Sequence, residues 1–166
     1  MATGSLVSVR EYLSTSYRPD CDYVDGVVLE RNLGEKSHSQ LQSAVWLYYH
    51  LRRQQWRLWG FVELRVQVSA TRFRIPDVCL VVGEPQEQIL RTPPFICIEV
   101  LSPDDRLSEM RQRVEDYVVF GVPYVWILDP ATRQAWRGTP GGGMQEVTEL
   151  RTENPETLVP VCDLFE

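Results

Sequence analysis

Apolar and polar positions along this chain change period several times, and each change marks an element. Near the start, Leu6, Val9 and Leu13 recur at helical spacing and predict a short amphipathic helix, with Ser5 as its candidate cap. In "CDYVDGVVLERN" two short apolar arms flank Asp25-Gly26, a dipeptide that favours a tight hairpin turn. "NLGEKSHSQLQSAVWLYYHLRRQ" then reads as a substantial helix. Leu41, Val45 and Tyr48 form one apolar line, with Ala44, Leu47 and Leu51 beside it. Asn32 followed by Glu35 matches a capping box, and Ser37 offers a cap for a later start. Glu35, His38, Gln42 and Tyr49 share an adjacent face.

"RLWGFVELRVQVS" alternates as a strand, with Val62, Leu64, Val66 and Val68 on one side and Glu63, Arg65 and Gln67 on the other. "RFRIPDVCLVV" reads as another, interrupted at Pro76, which implies an edge, a start or a bulge. After the polar loop "GEPQEQILRTPP", the run "PFICIEVLS" is the most apolar and is expected to be central. Leu107, Met110, Val114, Tyr117 and Val118 stripe a helix running from Pro103 or Asp104 to Phe120. Ser102 is its candidate cap, Asp104 and Asp105 suit its first turn, and Gly121 stops it. "PYVWILDP" is a further strand. "QAWRG", "GGMQEVTEL" and "ETLVPVCDLFE" complete the chain as an antiparallel flap and a terminal segment. Strand, helix and strand from Ile96 to Leu128 imply a parallel pair with a right-handed crossover. With the hairpins, the expected fold class is α/β (mixed α+β), a mixed sheet flanked by helices in one domain over 1–166.

The 166 residues suffice for one sizeable core, and 43% hydrophobic content is ordinary for a globular chain. The formal charge of −6 argues against broad coating of a nucleic-acid backbone and leaves room for a local basic patch. Sixteen of the 17 basic residues are arginines, and Lys36 is the one lysine. Arginine suits forked contacts to carboxylate or phosphate. Arg52, Arg53 and Arg57 beside Trp56, and Arg106, Arg111 and Arg113, are the modest basic clusters; ion-paired helix surface is the competing account to a local anion-binding patch. Trp46, Trp126 and Trp136 read as core, whereas Trp56 or Trp59 is a candidate for a subunit interface. Cys21, Cys79, Cys97 and Cys162 are scattered, without zinc-ligand spacing, and fit a reduced, cytoplasmic setting. No secretory leader, membrane-spanning run or organic cofactor is expected; "TPGGG" lacks the context of a phosphate loop.

One residue does not fit its surroundings. Glu99 lies between Ile98 and Val100, and a buried carboxylate needs a cation, hydrogen bonds or a proton. Asp77 precedes "VCLVV" as Glu99 precedes "VLSP". If the two strands are neighbours, the acids converge, and a hard divalent cation would offset their repulsion. An Asp that merely caps a strand start is the plainer alternative.

"RFRIPDVCLV", "PPFICIEVLSPDD" and "GVPYVWILDP", with "YVDGVVLERNLGEKSHSQLQ" upstream, resemble the Uma-two family of the PD-(D/E)XK nuclease superfamily, from about Val9 to Phe165. The resemblance implies a restriction-endonuclease-like core and hydrolysis of DNA phosphodiesters with Mg²⁺, for which Mn²⁺ would substitute. It makes Asp77 and Glu99 metal ligands, the Val100 carbonyl a further ligand, Glu35 an accessory acid at the metal, and His38 the family's helix-borne histidine, a catalytic candidate to orient water or the leaving group. The superfamily lysine is absent, since Leu101 stands in its place. Arg113, four residues before Tyr117, takes the position where family members carry it on the following helix. A guanidinium there can stabilise phosphate charge but cannot act as a base. A homodimer would set two such sites against opposite strands. The alternatives are a catalytically inactive nuclease-like domain that binds nucleic acid or a protein partner, and a purely structural domain.

Overall fold

A computed structural model describes residues 6–32 and 34–165. A short helix α1 (Val9–Ser14) is capped by the Ser8 hydroxyl, which accepts from the Glu11 N–H; Ser5 lies outside the described residues. Strands β1 (Cys21–Val24) and β2 (Val27–Glu30) form the expected hairpin. Its turn residues Asp25 and Gly26 both have positive φ, as the Asp-Gly pair predicts.

Helix α2 (Lys36–Leu51) begins later than the capping-box reading allows. Glu35 is its N-cap but makes no side-chain cap, while the Asn32 amide donates to Asp105 at 2.7 Å. A single turn, α3 (Arg53–Trp56), follows and buries Trp56 against Tyr49, so Trp56 is core rather than interface. The next two sequence runs each split between sheets. β3 (Leu58–Val62) and β4 (Val66–Ser69) separate at Glu63, whose φ is +51°. β5 (Arg72–Arg74) and β6 (Val78–Val82) separate at Pro76.

β7 (Ile96–Val100) is buried throughout and central, as its composition requires. Helix α4 (Leu107–Phe120) connects it to β8 (Tyr124–Asp129), its parallel neighbour. α4 starts at Leu107, not near Pro103: Asp105 instead accepts from the Ser102 N–H and closes a local turn. Gly121 ends it with φ +103°. β9 (Gln134–Thr139) and β10 (Gly143–Val147) extend the central sheet, and β11 (Glu149–Thr152) and β12 (Thr157–Pro160) form a separate hairpin before a 3-10 turn over Val161–Phe165.

The result is a mixed α/β fold. The central sheet runs β10-β9-β8-β7-β6-β3, with β7–β8 its parallel pair. One face, including Val78, Leu80, Ile98, Val100 and Trp126, packs on α2 and the C-terminal hairpin. The other, including Cys79, Cys97, Val125 and Ile127, packs on α4. Gly138 on β9 permits that approach, because a Cβ there would lie 2.6 Å from Val114 Cγ1. The smaller antiparallel sheet, β2-β1-β5-β4, packs Tyr23 and Phe73 against Tyr12 of α1.

Candidate carboxylate site

β6 and β7 pair antiparallel with Val78 opposite Ile98 and Cys79 opposite Cys97. Continuing that register by one residue sets Asp77 opposite Glu99, on the face shared with Cys79 and Cys97. Such cross-strand partners have Cβ atoms roughly 4.5–5.5 Å apart. Asp77 is 2% exposed and Glu99 is 1% exposed, yet both line a cavity of about 180 Å³. Arg31, His38, Gln42, Asp105 and Arg113 line it with them.

Each carboxylate is held by both a cation and a neutral donor. Asp77 Oδ2 accepts from the Val100 N–H at 2.7 Å, which ties it to β7, and Arg31 donates to Oδ1 at 2.6 Å. His38 Nε2 lies 3.4 Å from Oδ2, and Gln42 donates to the Asp77 carbonyl. Glu99 Oε1 accepts from the Tyr117 hydroxyl at 2.6 Å, and Oε2 from Arg113 at 3.0 Å. The arginine therefore turns to Glu99, not to acids on its own helix. Tyr117 is more than core packing, because its hydroxyl fixes the orientation of the carboxylate.

These contacts set the charge states. Burial pushes the Glu99 carboxyl up to about 7; Arg113 opposes that, and the charge of Asp77 adds to it. Burial also raises Asp77, but His38 and Arg31 outweigh it, and the group ends below the ordinary carboxylate value. The same hydrogen bond to Asp77 raises His38 above 6.5 against the opposing effect of burial.

A buried ionic chain backs the site. Arg113 reaches past Glu99 to Asp22 Oδ2 at 3.3 Å. Asp22 is wholly buried and also accepts from Arg74 at 3.0 Å and from the Ile75 N–H at 3.1 Å. Arg74 continues to Asp116, Asp116 to Arg72, and Arg72 to Asp25. Asp22 lies on β1 and Arg74 on β5, so the chain joins the small sheet to α4 and to the carboxylate site.

The structure thus brings Asp77, Glu99, His38 and Arg113 together. Glu35 is exposed at the N-cap of α2 and is absent from the cavity lining; Arg106 is exposed at the N-cap of α4 and likewise absent. Sequence reasoning missed Arg31, Asp22, Arg74 and Asp116. A signal existed for Asp22, an acid enclosed by Cys21 and Tyr23 in the strand "CDYV". Among the described residues no group of three or more His, Cys, Asp or Glu is placed to hold a metal ion.

A helix-flanked mixed sheet with this sequence pattern belongs to a nuclease-like class, the broader PD-(D/E)XK-related superfamily. Within it, the profile of the Uma2 family, described as "Putative restriction endonuclease", matches residues 10–166, and the chain belongs to that family. A crystal structure from Anabaena variabilis ATCC 29413, described as a "putative nuclease belonging to DUF820", has the same fold. It superposes with a TM-score of 0.79 at 20% identity, covering 96% of this chain and 97% of that one. No curated protein matches the chain. No helix among the described residues is long and apolar enough to cross a membrane.

Proposed function

We propose that the chain is a metal-dependent nuclease hydrolysing DNA phosphodiester bonds at the Asp77–Glu99 cavity, within one restriction-endonuclease-like domain. The observation that carries this reading is two buried carboxylates, Glu99 on β7 and Asp77 just before its neighbour β6, facing one polar cavity with two arginines and a histidine. The donor set fits Mg²⁺ or Mn²⁺. Mg²⁺ binds through one or two carboxylates and keeps several waters, so two acids meet its needs. Asp77 and Glu99 would hold it. Lewis acidity toward water and the phosphate oxygens is what such an ion contributes when bound.

The protein's own groups supply the rest. Tyr117 and the Val100 N–H lock the two carboxylates in orientation. Arg113 brings fixed positive charge to Glu99 and to the phosphate beside it. His38, made easier to protonate by Asp77, suits donation to a phosphate or leaving oxygen rather than proton abstraction.

A second reading, a nuclease-like domain that binds nucleic acid without turnover, is favoured by one observation: the basic groups on the two carboxylates are two arginines and a histidine, with no lysine in the cavity lining. Nicking of supercoiled plasmid by the parent, D77N and E99Q with Mg²⁺ or Mn²⁺ separates the two. Metal-dependent nicking lost in both variants supports the nuclease. A parent that retards DNA in a gel and never nicks it supports the second reading. Equal nicking by all three proteins would remove the site.

A further inference from the structure

Four arginines each face two carboxylates; Arg72, Arg74 and Arg113 belong to the ionic chain, and Arg31 stands apart from it. Arg72, Arg74 and Arg113 each donate a hydrogen bond to Asp116 or Glu99, acids on α4 or central strand β7. Arg31 sits on the connection between β2 and α2, with its side chain 11% exposed. It grips Asp77 at 2.6 Å, while its other partner, Glu63, lies 3.5 Å away and is 51% exposed. The contact with Asp77 is made to Oδ1, the oxygen not engaged by the Val100 N–H. Oδ1 is thus the oxygen whose donor is a side chain that can withdraw without breaking backbone structure.

We infer that Arg31 is an exchangeable counter-cation: it neutralises Asp77 when no divalent ion is present and gives up Oδ1 when one binds. The inference rests on the divalent-ion reading above. Guanidinium and a divalent cation on the same carboxylate oxygen repel, which favours withdrawal of the movable side chain. Glu63, at the half-exposed end, offers the displaced guanidinium a second anchor. Since Arg31 lines the cavity, the released group stays where a strand's phosphate would enter, and forked donors suit that anion. Arg31 would then act as a positioning residue for nucleic-acid phosphate, coupled to metal loading.

The test is a Mg²⁺ titration of the wild-type protein, following the arginine guanidinium and the Asp and Glu carboxylate NMR signals. The Arg31 guanidinium and the Asp77 carboxylate should move and saturate together, while Arg74, tied to Asp22 and Asp116 and outside the cavity lining, stays in place. Movement of Asp77 without Arg31 would overturn the exchange and leave the metal site standing. Movement of neither at millimolar Mg²⁺ would overturn the metal reading and this inference with it. In calorimetry, R31M should bind Mn²⁺ roughly tenfold more tightly, the scale of one charge-assisted hydrogen bond released from competition. R106M, which removes an exposed charge outside the cavity, should bind as the parent does. Equal Kd values for R31M and wild type, or an equal gain in R106M, would refute the exchange. If R31M does not fold, the wild-type titration decides.

Discussion

Replacing Asp22 by Ala tests whether the ionic chain supports the site. The change removes an acceptor that is 0% exposed and serves three donors: Arg74, Arg113 and the Ile75 N–H. Arg74 is then left to Asp116 alone, and the buried Ile75 N–H loses its side-chain acceptor. Removing one partner of a buried ion pair costs roughly 3–5 kcal/mol, because the remaining charge stays desolvated. The stranded N–H would cost about 1–3 kcal/mol by itself, but the effects share one cavity and do not sum. The expected loss is therefore ~3–5 kcal/mol, a large part of the roughly 5–15 kcal/mol that a domain possesses. Urea unfolding should show a lower midpoint at an unchanged slope. D22N, which keeps an acceptor for Ile75, should lie between Ala and the parent. In a cycle with R74M the double variant should recover part of the loss, with a coupling of about 0.5–3 kcal/mol. A D22A cost below ~1 kcal/mol, the range of an exposed pair, would refute the buried-network argument.

His38 should titrate above 6.5 by NMR and fall toward that value in D77N, since Asp77 is the main cause of the shift. Its contribution to stability is complete below 6.5 and is lost as pH rises through the raised value. Glu99, lifted from 4.5 to about 7 in the folded state, should make the protein lose stability as pH rises between those values. E99Q should flatten that slope in urea midpoints, and an unaltered slope would locate the titration elsewhere. R113A should abolish metal-dependent nicking, whereas R113K, which keeps a movable charge beside Glu99, should match or exceed the parent; an R113A protein as active as the parent would remove Arg113 from the chemistry. G138A should cost about 1–3 kcal/mol in thermal or urea melts, because its Cβ would press on Val114 and Val125 in a packed core.

The two acids were legible because each breaks an apolar pattern, and a buried carboxylate requires an explanation. His38 and Arg113 were singled out by the family resemblance, which implies a histidine on this helix and a basic residue four places before Tyr117. The strand breaks were not. Alternation runs unbroken through Leu64, so one long strand and two short ones in different sheets share a signature; only the positive φ at Glu63 separates them. The caps failed for a competing reason. Asn32 and Asp105 each resemble helix-start residues, yet they bond to one another across two loops far apart in sequence. The ionic chain was hidden because its partners lie 42 to 52 residues apart at Arg74–Asp116 and Arg74–Asp22, and no local period records such a pairing.

The bridging geometry also gives a reason for the chain's unequal use of basic residues. Arg31, Arg72, Arg74 and Arg113 each stand between two acids, a task for a planar fork and not for a single ammonium. A practical property follows. Amine-directed acylation finds one side chain in the whole sequence, Lys36, exposed in the first turn of α2, two residues before His38. The lone ε-amino group is therefore a ready-made attachment point for a fluorophore beside the cavity, and a label placed there leaves the four bridging arginines chemically untouched.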